Sequence, residues 1–178
     1  LTDLILPQVS LDDLAGLEDT IGEGEVRMAI RALSSGKSPG PDGIPIEFYL
    51  AHIDVLAPRL TLLYNSSFTQ GLLPPSLREA LLVPIPKPGK DPTSLSSFRP
   101  LAILNTDYKI LSKILATRLL PLLSALVHPD QSGFIPSRST SMNLRRLLMI
   151  LDLSPKLHPS AACLALDLEK AFRSEGVV

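Results

Sequence analysis

Residues 80–127 read ALLVPIPKPGKDPTSLSSFRPLAILNTDYKILSKILATRLLPLLSALV, and within them the hydrophobic period changes from that of strands to that of a helix. ALLVPIPK, residues 80–87, is predicted to be an edge strand, because Pro84 and Pro86 cannot both donate to a central ladder. RPLAIL, residues 99–104, is its expected partner. PGKDPTSLSS between them has the composition of a turn, so the pair should form a hairpin with a long loop. From Thr106 the apolar residues Ile110, Leu111, Ile114, Leu115, Leu119, Leu122, Leu123 and Leu126 recur at helical spacing until Pro129. This predicts a helix over 106–127, with Lys109 and Lys113 one turn apart on its polar side.

Towards the N-terminus, residues 1–20 show little periodicity and read as an extended lead-in with at most one short helical turn. A helix is expected from Glu23, with Val26, Met28, Ala29, Ile30, Ala32 and Leu33 on its apolar side and Gly36 placed to stop it. GKSPGPDGIP, residues 36–45, is too rich in Gly and Pro for helix or strand and must be a shaped loop. Pro45 then opens a helix containing Phe48, Tyr49 and Leu50. Another helix follows over about 54–70, with Leu60, Leu63, Tyr64 and Phe68 as its buried stripe and Gly71 as its end. Towards the C-terminus come the loop DQSGFIPSRS, a helix over about 140–151 and a strand over about 161–167. The class is therefore α+β, predominantly helical.

A length of 178 residues allows one large domain or one and a half small ones. The composition, 45% hydrophobic and 20% charged, is that of a soluble globular protein, and 17 prolines imply stiffened loops. The one cysteine, Cys163, excludes an internal disulfide framework and fits a reducing compartment, cytoplasm or nucleus. Asp3, Asp12 and Asp13 interrupt any secretory signal, and no apolar run reaches the length of a membrane span. Charge is uneven. Residues 1–60 carry ten acidic against four basic residues, whereas residues 87–146 carry nine basic against three acidic. Such a basic segment could neutralise phosphates, although charge alone favours an ordinary solvated face.

Three features carry chemistry. On a strand, period two puts Ala161, Cys163, Ala165 and Asp167 on one face, so a carboxylate able to bind a hard ion such as Mg2+ ends a row of small side chains. Taken alone, a strand-end Asp is more often a turn former or helix cap. The loop GKSPGPDG offers Lys37, Ser38 and backbone amides as a phosphate nest, and reads equally as a rigid helix connector. Lys87 at the end of one hairpin strand and Arg99 at the start of the next could clamp a triphosphate. His52, His128 and His158 have no metal-like spacing with Cys163, and no nucleophile motif of the G-x-S-x-G kind is present.

Taken in order, AIRALSSGKSPGPDGIPIEFY (29–49), LLVPIPKPGKD (81–91), SFRPLAILNTDYKILSKILATRL (97–119), DQSGFIPSRST (130–140) and LALDLEKAF (164–172) resemble the reverse transcriptases of non-LTR retrotransposons, the long interspersed element type. The resemblance runs from about residue 21 to residue 172. It implies the fingers and the start of the palm of a right-hand polymerase fold, incomplete here: a lead-in at 1–20, fingers with an N-terminal extension at 21–158, and the first palm strand with a divergent tail at 159–178. It also implies roles. Lys37, Ser38, Gly40 and Asp42 would help hold template, as would Gln131, Gly133 and Phe134. Lys87 and Arg99 would grip the incoming triphosphate. Asp167 would be the first catalytic and metal-binding aspartate, with the Leu168 carbonyl as a further ligand, and Phe172 the aromatic gate beneath the sugar. The implied cofactor is Mg2+, and the implied partners are an RNA template, a DNA primer and deoxynucleoside triphosphates.

The sequence departs from that pattern after LALDLEKAF. Arg173 stands where the family usually has Asp, and these residues contain no aromatic-Ala-Asp-Asp motif. The one adjacent aspartate pair, Asp12 and Asp13, lies in the acidic lead-in. Two alternatives to a catalytically incomplete reverse transcriptase segment are a non-catalytic RNA- or DNA-binding module and an inert retroelement remnant. An unpaired strand at 161–167 should also favour self-association. Two-metal chemistry needs carboxylates that bridge both ions. Residues 1–178 by themselves are therefore expected to give no primer extension above background on a primed RNA template, and extension in that assay would refute the expectation.

Overall fold

The computed structural model describes residues 9–157 together with residues 160, 162 and 164. The chain divides into two compact units, Leu1–Leu126 and Val127–Val178. The strand expected at 161–167 falls almost wholly outside the described residues.

The first unit is a helical cluster that carries a hairpin. Helices α1 (Leu11–Glu18), α2 (Glu23–Ala32), α3 (Ile46–Ala51) and α4 (Ile53–Gln70) precede strands β1 (Ala80–Pro86) and β2 (Phe98–Leu104), and α5 (Thr106–Leu126) follows. Helix α1 occupies part of the expected lead-in, where sequence allowed at most one turn. Helix α2 lies between α4 and α5. At its start the Gly22 amide donates to Glu25 Oε2 at 2.9 Å, the half of a capping box that a glycine N-cap allows, and this helps fix the first turn. Its apolar stripe of Val26, Ala29 and Ile30 is buried against Ala57, Leu60 and Tyr64 of α4 and Ile110, Leu111 and Ile114 of α5. Tyr64, wholly buried, donates from its hydroxyl to the Asp107 carbonyl at 2.8 Å, which meets the hydrogen-bonding need of a phenol inside an apolar core.

Helix ends follow local chemistry with one exception. Gly71 ends α4 with a φ of 66°, and the Leu72 amide reaches back to the Ser67 carbonyl at 3.1 Å. Helix α2, however, stops at Ala32, short of Gly36, because Leu33 is already extended. Gly36 takes its positive φ of 72° inside the following loop. Of the stripe expected on α4, Leu60 and Tyr64 are buried, whereas Phe68 is exposed.

Strands β1 and β2 form the antiparallel two-stranded sheet, with Ala80 opposite Leu104 and Pro86 opposite Phe98. The Lys87 amide donates to the Ser97 carbonyl at 2.7 Å, so the odd-numbered β1 positions are the hydrogen-bonded ones. Pro84, Pro86 and Pro100 all fall on the other parity, where backbone nitrogens face outward. They remove donors from the outer edges of the sheet without breaking its internal ladder.

The second unit has the loop 127–139 folded onto α6 (Thr140–Leu157). Helix α6 runs six residues beyond its expected end. The Arg138 guanidinium donates to the carbonyls of His128 at 2.7 Å, Gln131 at 3.0 Å and Val127 at 3.2 Å. Asn143 Nδ2 donates to the Asp130 carbonyl at 2.5 Å, and Arg146 is paired with the Asp130 carboxylate.

A bond made only by tertiary contact holds the loop 36–45. Asn105, 2% exposed, donates from Nδ2 to the Ser76 carbonyl at 2.8 Å and accepts from the Asp42 amide at 3.2 Å. A Cβ on Gly40 would lie 2.5 Å from the Asn105 amide nitrogen and 2.6 Å from its Cα. Both are backbone atoms that cannot step aside. Gly40→Ala should therefore cost about 2 kcal/mol and lower Tm by at least roughly 5 °C. Gly24→Ala, in open space on α2, should leave Tm unchanged or raise it. Equal melting of the two variants in calorimetry would contradict this account.

Candidate nucleic-acid and nucleotide site

The loop 36–45 is held by its own polar groups together with those of Glu47 and Asn105. The Gly36 amide donates to Glu47 Oε1 at 2.7 Å, which holds that carboxyl below its ordinary value. The Gly43 amide donates to the Gly40 carbonyl at 3.1 Å, and the Ile44 amide to Asp42 Oδ1 at 3.0 Å. With the Asp42 amide on Asn105, three backbone donors of the expected phosphate nest, those of Gly36, Asp42 and Gly43, are satisfied within the protein. Gly40 and Asp42 thus shape the loop, while Lys37 and Ser38 are exposed on it. Lys109 of α5 reaches the same place and donates from Nζ to the Ser38 carbonyl at 3.2 Å.

The hairpin brings Lys87 and Arg99 together. Lys87 is opposite Ser97 and Arg99 is opposite Ile85, so both side chains lie on one face as diagonal neighbours at the loop end. Lys87 Nζ also donates to the Ser96 carbonyl at 2.8 Å, and Arg99 is exposed. A guanidinium and an ammonium carried on one sheet face are the groups suited to phosphate oxygens.

In the second unit, Gln131, Gly133 and Phe134 share the loop that Arg138 organises. Gln131 Nε2 donates to the Gly133 carbonyl at 3.5 Å. Phe134 has a φ of 62° and its ring is fully exposed. A left-handed backbone at a bulky residue stores strain, and an exposed ring offers a stacking surface. Asp167, Leu168 and Phe172 lie outside the described residues. Among the described residues, no group of three or more His, Cys, Asp or Glu side chains could hold a metal ion, and no helix is long and apolar enough to cross a membrane.

Sequence reasoning missed three residues. Asn105 precedes a helix and reads as an ordinary cap, yet its side chain bonds distant backbone. Arg118 and Arg138 read as members of a basic segment, yet both are structural. Arg118 donates to both Glu25 carboxylate oxygens at 2.7 Å and to the carbonyls of Asp19 at 2.6 Å and Thr20 at 3.1 Å. It thereby ties the start of the chain to α5.

Comparison with known proteins places this arrangement. Residues 85–174 match the family described as reverse transcriptase (RNA-dependent DNA polymerase). The chain is 38% identical over 167 residues to an uncharacterized 149 kDa protein of transposon TX1 from Xenopus laevis, covering 94% of this chain and 13% of that protein. It is 32% identical over 126 residues to a probable RNA-directed DNA polymerase from transposon BS of Drosophila melanogaster, covering 69% and 14%. It is 27% identical over 157 residues to the RNA-directed DNA polymerase from mobile element jockey of Drosophila funebris, covering 86% and 17%. The chain belongs to the reverse transcriptase family. As the ordered motifs implied, it is a reverse transcriptase segment of the retrotransposon type, and it spans less than a fifth of the length of these relatives.

The Arg118 bond holds the Glu25 carboxyl below its ordinary 4.5, with partial burial opposing and the Gly22 amide adding to the depression. A folded pKa below the unfolded one gives stability that is present above the unfolded value and lost as pH falls through the folded value. Glu25→Gln should thus be less stable than the parent at neutral pH. The gap should close on acidification below about 4.5. Urea unfolding across that range measures it, and a gap independent of pH would remove the ion pair from the account.

Proposed function

We propose that this chain supplies the fingers and the start of the palm of a right-hand polymerase that extends a DNA primer on an RNA template. In this reading residues 1–20 are the lead-in, 21–158 the fingers with their N-terminal extension, and 159–178 the first palm strand and tail. The observation that carries it is the shared face of Lys87 and Arg99, within a segment matched by the reverse transcriptase family.

Lys87 and Arg99 bind the triphosphate of the incoming deoxynucleotide, Arg99 through its fork and Lys87 as a point charge. Lys37 and Ser38 contact template from a loop that Gly40 and Asp42 hold in shape. Gln131 and Gly133 support the template strand, and the exposed ring of Phe134 stacks on a base. Asp167 and the Leu168 carbonyl are proposed as ligands for divalent metal, Mg2+, and Phe172 as the gate that disfavours a 2′-hydroxyl. Bound metal would supply activation of the primer 3′-oxygen and charge balance at the leaving pyrophosphate.

Photolabelling with a reactive deoxynucleoside triphosphate tests the nucleotide contact on the chain itself. Label should map to the hairpin, and Arg99→Ala or Lys87→Ala should each reduce it about tenfold, while Lys156→Gln, on α6, should leave it unchanged. Labelling that maps elsewhere, or that survives both substitutions, would overturn the assignment.

A further inference from the structure

A cleft of about 250 Å3 in the first unit is lined by Leu33, Ser34, Lys37, Ser38, Ile46, Thr106 and Lys109. Its two cations come from places far apart in sequence, the loop after α2 and the first turn of α5. Among the described residues, neither has a carboxylate partner at ion-pair distance. Lys109 is half-buried, and its one internal acceptor, the Ser38 carbonyl at 3.2 Å, leaves two of its three ammonium protons available. The carboxylates on the loop and the neighbouring elements accept from backbone amides, Asp42 from Ile44 at 3.0 Å, Glu47 from Gly36 at 2.7 Å and Asp107 from Tyr108 at 2.8 Å. Leu33 and the buried Ile46 add an apolar wall.

We infer that this cleft seats one backbone phosphate of a single-stranded nucleic acid, gripped jointly by Lys37 and Lys109, with the adjoining sugar against Leu33 and Ile46. The inference rests on the proposed template contact of the loop 36–45 and deepens it by adding a second cation and a defined stoichiometry. Two lysines lining one cleft beside an apolar wall suit a phosphodiester, whose charged oxygens are flanked by carbon. An exposed basic stripe would instead give each lysine its own phosphate.

That difference is measurable. Each phosphate neutralised on a single strand contributes about 0.7 to the magnitude of the salt slope, d log K/d log [salt]. With a single-stranded RNA oligonucleotide and the full chain, Lys37→Gln and Lys109→Gln should each weaken binding about fivefold and lower the slope by about 0.7. Because both act on one phosphate, the double variant should lose little more than either single one. Lysine footprinting of the unmodified chain, read by mass spectrometry, supplies a measurement independent of any substitution. RNA should protect Lys37 and Lys109 together and leave Lys156 reactive. Slopes that fall additively, or unprotected lysines, would overturn the shared phosphate while the template reading stands. Absence of any salt-dependent binding by the unmodified chain would sink both.

Discussion

The buried carboxamide of Asn105 is the constraint on which the first unit depends. It joins three segments that sequence keeps apart: the loop 36–45 through the Asp42 amide, the turn at Ser76 through its carbonyl, and the start of α5 through its own backbone. Thr106, the next residue, adds a hydroxyl bond to the Ile44 carbonyl at 2.8 Å. A buried polar group left without a partner costs about 1–3 kcal/mol, so the loop cannot drift from α5 without leaving several such groups unpaired. The absence of a side chain at Gly40 lets the two backbones approach. Lys37 and Ser38 stand where they do because of this joint, and Lys109 meets them because it lies one helical turn beyond it.

Positive charge is divided between two tasks. Arg118 and Arg138, counted by sequence in one basic segment, have their guanidinium protons directed at backbone carbonyls and, for Arg118, at Glu25. A planar fork with five donors suits such bracing, since it can collect several carbonyls at once. Among the described residues, other cations of that segment, Lys87, Arg99 and Lys109 among them, have no carboxylate partner, and Lys37 lies beside Lys109. Lys37 itself comes from the acidic N-terminal third. A charge count along the chain therefore misplaces the surface that would meet a polyanion.

The hairpin shows how far local rules reach. Pro84 and Pro86 mark an edge strand from sequence alone, and the register adds Pro100 to the same parity, which allows a two-stranded ladder and no continuation at those positions. The register, and with it the common face of Lys87 and Arg99, comes from the structure. The long apolar stripe of α5 was equally legible, but its burial was not. Ile110, Leu111 and Ile114 are buried while Leu115 and Leu119 are exposed, because α2 covers only part of the helix.

By itself the sequence determined most of the helices after residue 20, the hairpin and the family, because period, proline position and motif order are local or ordered along the chain. Tertiary structure alone decided the joint at Asn105, the bracing roles of Arg118 and Arg138, and the meeting of Lys37 with Lys109. The physical reason is that each of these is a choice of hydrogen-bond partner. An asparagine before a helix, an arginine on a polar face and a lysine in a loop have many acceptors open to them in the unfolded chain. Only burial, by removing water from the competition, selects one.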